Sequence, residues 1–130
     1  SRHCSIIWSI DPSISEVVTE PRSLARAFSN LIQNALRYTR STIHVRVESD
    51  AEFWYLIVED DGVGIPEQER ERVFEPFYRL DRSRDRATGG YGLGLAIVKK
   101  IVERLGGQIR VDTSDLGGAA FKLNFPHRIH

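Results

Sequence analysis

Phe53 to Pro66 reads FWYLIVEDDGVGIP, an apolar run that ends in a glycine-bracketed acidic turn. Phe53 to Val58 is apolar on both faces, the pattern of a strand in the middle of a sheet. Asp60 follows directly, so its carboxylate emerges at the strand's end, and Gly62 and Gly64 let the backbone turn sharply. Asp-Asp-Gly is also an ordinary turn signal, and alone it supports that reading as well as a functional one.

Upstream, Ile43, Val45 and Val47 alternate with His44, Arg46 and Glu48, which predicts a half-buried strand. Ser49-Asp50-Ala51-Glu52 would join it to the apolar strand as a hairpin. Leu24, Ala27, Phe28, Leu31, Ile32 and Ala35 follow helical spacing. They predict an amphipathic helix from Pro21, capped near Thr19 or Glu20, to about Tyr38. Ser5 to Ile10 (SIIWSI) is a short β-branched strand ended by Asp11-Pro12.

Downstream, Glu67 to Val73 is at most a short helix. Tyr78 to Tyr91 (YRLDRSRDRATGGY) has no apolar period and reads as a mobile loop. Leu95 to Leu105 regains helical spacing, with Gly106-Gly107 as its stop. Gln108 to Thr113 and Ala119 to Phe125 form a hairpin around Asp115-Leu116-Gly117-Gly118. The order is strand, helix, two strands, loop, helix, two strands. That predicts an α+β fold, a two-layer α/β sandwich whose mixed, mostly antiparallel sheet is covered by helices on one face.

At 130 residues the chain is one domain, and its 41% hydrophobic content suits a soluble globular protein. Eighteen basic residues balance eighteen acidic ones, so no global field draws it to nucleic acid or anionic lipid. The single Cys4 cannot form an internal disulfide, which fits a reducing compartment. No apolar run approaches the roughly 20 residues of a membrane span. The chain opens on Ser1 and contains no Met, and so reads as a fragment of a longer protein.

Asn30, Asn34, Arg37 and Tyr38 form a stripe beside the helix's apolar face, at about 100° per residue. A partly exposed helix edge is the plain reading for any one of them. Two asparagines on one edge cost helix propensity, however, which favours a purpose for the set. Their amide oxygens are hard ligands suited to Mg²⁺, Arg37 suits a phosphate, and Tyr38 could face a base. Asp60 could accept from an exocyclic amine and so select adenine over guanine.

Gly89, Gly90, Gly92 and Gly94 precede the second helix, a weak pattern that matches neither the dinucleotide fingerprint nor a Walker loop. It could deliver backbone N–H groups to an anion at a helix N-terminus. The adjoining Arg79, Arg82, Arg84 and Arg86 alternate with acids as a solvated surface does, or could meet phosphates or a partner domain. None of the four histidines has metal-ligand spacing.

In this order the motifs resemble the catalytic, ATP-binding domain of bacterial sensor histidine kinases, within the superfamily shared with gyrase, Hsp90 and MutL. Asn30 to Thr39 (NLIQNALRYT) resembles the N box, and Asp60-Asp61-Gly62-Val63-Gly64 the first glycine box. Phe74-Glu75-Pro76-Phe77 with Arg79 resembles the F box, and Gly90-Tyr91-Gly92-Leu93-Gly94-Leu95 the second glycine box. Gly117-Gly118-Ala119-Ala120-Phe121 resembles the last glycine-containing turn.

The resemblance implies a Bergerat-type fold that binds Mg-ATP and transfers the γ-phosphoryl group to a histidine. It implies Asn34 on Mg²⁺ with Asn30 assisting, Arg37 near the phosphates, and Tyr38 near the adenine. Asp60 would accept from the adenine amino group, in a pocket shaped by Gly62, Gly64 and Ile65. Gly90, Gly92 and Gly94, with Leu93 and Leu95, would hinge an ATP lid anchored by Phe74 and Phe77. The superfamily's ATPases carry a water-activating glutamate where this chain has Asn30, and a neutral amide cannot act as a general base, which favours a kinase over a hydrolase. A superfamily ATPase and a non-catalytic interaction module are the alternatives.

Tyr91 replaces a small or polar residue of the lid. Ala120 stands where Thr is frequent, which would remove a polar contact near the phosphates. No histidine sits in the family's phosphoacceptor pattern, so the acceptor would lie on a separate helical domain of the same protein or its dimer mate. ATP and ADP are the implied ligands and a response regulator the indirect partner. The implied location is cytoplasmic, with the full-length protein anchored in the bacterial inner membrane and no membrane contact by this domain.

Overall fold

The computed structural model describes residues 3–78 and 94–127 of the 130-residue chain. The loop expected over Tyr78 to Tyr91 therefore lies, apart from Tyr78, outside the described residues, as do Gly89, Gly90, Gly92 and Leu93. The elements run β1 (Ser5–Ile10), α1 (Pro21–Tyr38), β2 (Thr42–Ser49), β3 (Phe53–Asp60), α2 (Gly94–Arg104), β4 (Gln108–Thr113) and β5 (Ala119–Pro126). Two single 3₁₀ turns, Glu67–Glu69 and Arg72–Phe74, stand where a short helix was expected.

The strands form one five-stranded sheet in the order β1-β2-β3-β5-β4. β1 runs parallel to β2 and every other pair is antiparallel, as expected of a mixed sheet. The apolar stretch Phe53 to Val58 thus occupies the central strand. Its even-numbered residues face the helices: Trp54, Leu56 and Val58 sit opposite Phe125, Leu123 and Phe121 of β5. Its odd-numbered Ile57 is buried on the other face, between Arg46 and Lys122. On that face the flanking side chains of Arg46 and Lys122 leave Ile57 only 4% exposed.

Both helices lie over the even-numbered face. Ala27, Leu31 and Ala35 of α1 and Val98, Ile101 and Val102 of α2 complete the core with Ile43, Val45, Val58, Phe121 and Leu123. Glu20 caps α1, its carboxylate accepting from Ser23 N at 2.6 Å and Arg22 N at 3.3 Å. Gly106, at φ +84°, ends α2 in the left-handed conformation that favours glycine. The β2–β3 turn is held by Asp50, whose carboxylate accepts from Glu52 N and Phe53 N. No helix among the described residues is long and apolar enough to cross a membrane.

Candidate functional site

The site grows from three neighbouring ends: the C-terminus of α1, the C-terminal end of β3, and the β4–β5 turn. Asp60, only 2% exposed, closes β3. Its Oδ1 accepts from Gly62 N at 2.8 Å and Ala119 N at 3.4 Å, while Gly118 N donates to its carbonyl at 3.2 Å. Burial pushes this carboxyl up from its ordinary value, and the two backbone N–H groups pull part of the way back. No partner to Oδ2 is found among the described residues.

Two glycines are here because no side chain fits. A Cβ on Gly62 would collide with the Tyr38 carbonyl, and one on Gly118 with Asp60 Oδ1, the Asp60 carbonyl and Gly62 N. The Asp60–Gly64 turn is therefore pressed between α1 and the β4–β5 hairpin. Gly64 takes φ +76° beside the Gly118 carbonyl, a conformation that strains any residue with a Cβ. Ile65 packs on the core, and its carbonyl accepts from Arg70 Nε at 3.0 Å. The same guanidinium reaches Thr113 Oγ1 at 2.8 Å, so Arg70 braces the segment against the end of β4.

Asn30, Asn34, Arg37 and Tyr38 are all half-buried on α1. The guanidinium of Arg37 lies 6.0 Å from the centre of the Tyr38 ring. Asn30 and Asn34 stand one turn apart, so their amide oxygens share an edge of the helix. A pair of neutral amide oxygens is the kind of ligand set that suits a Mg²⁺ keeping its waters and phosphate ligands. Gly94 opens α2, with no atom of the described residues within 4 Å of a Cβ placed on it, and Leu95 packs on the core. Gly90, Gly92 and Leu93 fall outside the described residues.

Phe74 is buried edge-on against Phe121, their ring centres 6.2 Å apart. Phe77 is 70% exposed and holds φ +67°, a left-handed backbone that is strained for an aromatic residue. Ala120 pairs with Glu59 and so faces away from the helices; Ala119, one residue earlier, lies on the Asp60 side. A change at position 120 is thus not a change beside Asp60, because side chains alternate along a strand.

Sequence reading also assigned no role to Asp61. Its Oδ1 accepts from Thr39 Oγ1 at 2.7 Å, Arg40 N at 2.8 Å and Ser41 N at 3.0 Å, and its Oδ2 from Ser41 Oγ at 2.7 Å. These donors, Ser41 foremost, hold the carboxyl well below the usual carboxylate range. The doubled acid was visible in the sequence, but its donors lie in a distant segment that only folding brings near.

Similar proteins carry the same architecture. Sensor protein RstB of Escherichia coli (strain K12) is 52% identical over 105 residues, 81% of this chain and 24% of RstB. The mycobacterial sensor histidine kinase MprB superposes with a TM-score of 0.80 at 33% identity, over 98% of this chain and 84% of that one. Full-length ShkA, solved in complex with AMPPNP, gives a TM-score of 0.80 at 25% identity, over 98% of this chain and 26% of that one. The chain spans about a quarter of the length of the curated relatives it matches. Residues 19–129 match the family described as histidine kinase-, DNA gyrase B-, and HSP90-like ATPase, and the chain belongs to that family.

Proposed function

We propose that this domain binds Mg-ATP between α1 and the Asp60–Ile65 segment and donates the γ-phosphoryl group to a histidine on a separate helical domain. The observation that carries the reading is the buried Asp60 carboxylate. Among the described residues both hydrogen bonds to its side chain engage Oδ1, which leaves Oδ2 to accept from an exocyclic amine. A guanine presents a carbonyl at that position and would be repelled. Tyr38 lies beside the base, and Gly62, Gly64 and Ile65 form the pocket wall. Arg37 would meet the phosphates, and Gly90, Gly92 and Gly94 with Leu93 and Leu95 would belong to the nucleotide site as the family motif implies.

Asn30 and Asn34 would hold Mg²⁺, which would supply neutralisation of phosphate charge when bound. Phosphoryl transfer needs positioning and charge neutralisation more than covalent help. The unprotonated nitrogen of the acceptor imidazole attacks the γ-phosphorus, a P–N bond forms as the P–O bond to ADP breaks, ADP leaves, and the proton on the other ring nitrogen passes to solvent. Asn30 provides no general base for water, so hydrolysis is not favoured. In the full-length protein the phosphoryl group would pass on to a response regulator, from a cytoplasmic domain anchored through the bacterial inner membrane.

Calorimetric titration with Mg-ATP tests the first half. One binding heat followed by a flat baseline is expected; sustained heat after saturation would mean an ATPase, and no heat a non-catalytic module. Adding the helical domain of the same full-length protein should then yield acid-labile phosphohistidine. Binding without any such product would overturn the kinase reading.

A further inference from the structure

Asp61 accepts four hydrogen bonds and takes no part in the function proposed above. Its donors, Thr39, Arg40 and Ser41, are the residues that lead the chain out of α1 and into β2. Thr39 caps α1 through its own N–H to the Ala35 carbonyl at 2.8 Å, and it is buried. Thr39 Oγ1 also lies 2.8 Å from the Thr42 carbonyl, so its proton is shared with the start of β2. A carboxylate beside a helix C-terminus is opposed by the helix dipole. Its charge therefore does not serve α1 itself; the directed bonds do the holding.

The adjacent acids grip opposite neighbours. Asp60 is tied to β5 through Ala119 N, and Asp61 to the end of α1 through residues 39–41. Between them Gly62 touches the Tyr38 carbonyl at a separation that leaves no room for a methyl group. We propose that Asp61 is a positioning residue of the nucleotide site. By latching the Asp60–Gly64 turn to the end of α1, it sets Asp60 against Tyr38 and Arg37 before any nucleotide arrives. The inference rests on the reading of Asp60 and Tyr38 as base contacts. Preorganisation of this kind lowers the ordering cost of binding, and its loss weakens affinity without removing any group that touches the ligand.

The test is calorimetric titration of Mg-ADP and Mg-GDP into the wild-type chain, Asp61→Ala, Asp61→Asn and Ser41→Ala, each at a temperature where its thermal melt shows it folded. Asp61→Ala should raise the ADP Kd about tenfold, the scale of one charge-assisted hydrogen-bond set. Asp61→Asn keeps an acceptor for Arg40 N and Ser41 N, and Ser41→Ala loses only the Oδ2 partner, so both should fall between. The preference for ADP over GDP should shrink in the same order. A purely structural residue would lower the melting temperature and leave that preference alone, which would overturn the proposal. If Asp61→Ala does not fold, the two milder variants decide. Wild-type protein that binds ADP no better than GDP would instead remove the base-contact reading itself.

Discussion

Gly118 lies against Asp60 so closely that a methyl group on it would meet the Asp60 carboxylate, the Asp60 carbonyl and the Gly62 nitrogen at once. Two of those obstacles are backbone, and the third is held by hydrogen bonds to Gly62 N and Ala119 N. None can swing away as the tip of a flexible side chain would. Gly118→Ala should therefore cost about 1–3 kcal/mol, the range for overpacking a close-packed site. Thermal melts should show the loss, and Mg-ADP titration should show weakened binding at temperatures where the variant is still folded. An unchanged melting temperature would mean that the β4–β5 turn moves aside freely.

Asp60→Asn separates stability from recognition. Burial raises the Asp60 pKa above its ordinary 3.8, so at pH 7 the ionised carboxylate costs the folded state stability. A neutral amide removes that cost, and its oxygen can still accept from Gly62 N. The variant should melt no lower than wild type at pH 7. Its ADP affinity should fall about 10- to 100-fold, because the amide NH₂ would oppose the exocyclic amine. Equal ADP affinity would take Asp60 out of the site.

Asp61 gives the opposite pH dependence. Its folded pKa is depressed below the ordinary 3.8, chiefly by the Ser41 donors, so the ionised form favours the folded state. That contribution is fully present above the unfolded pKa and is lost as pH falls below 3.8. Denaturation midpoints followed from pH 7 to pH 2 should therefore drop more steeply for wild type than for Asp61→Asn. The gap between the two should be widest near neutrality and narrow in acid; parallel curves would contradict the assignment.

The two tryptophans make a spectroscopic pair. Trp54 is 2% exposed and stacks on Phe125 at 4.7 Å, whereas Trp8 is 59% exposed on the edge strand and only leans on Phe28. A Trp8→Phe variant should emit to the blue and resist acrylamide. Trp54→Phe should leave a red-shifted emission that acrylamide quenches readily. Equal quenching of both would mean that β1 is covered in solution.

Much of the architecture was legible locally. The period of two in Ile43, Val45 and Val47, the helical period from Leu24 to Ala35, and the stop at Gly106 each depend on residues a few positions apart. Ser5–Ile10 read correctly as a strand, yet its apolar residues gave no warning that every one of its positions would be exposed. That follows from its place at the sheet's edge, which is a property of strand order. The phase of β5 against β3 likewise decides that Ala119, and not Ala120, stands beside Asp60.

The elements, their order and the family are readable from the chain alone, because period, capping and turn chemistry are local and the glycine and asparagine motifs are contiguous. That Asp61 grips residues 39–41, that Gly118 shuts against Asp60, and that the described residues engage Asp60 Oδ1 rather than Oδ2 all follow from packing. Those relations join segments far apart in the chain. Their distances are set by how helix, central strand and hairpin pack together, and no local pattern encodes that.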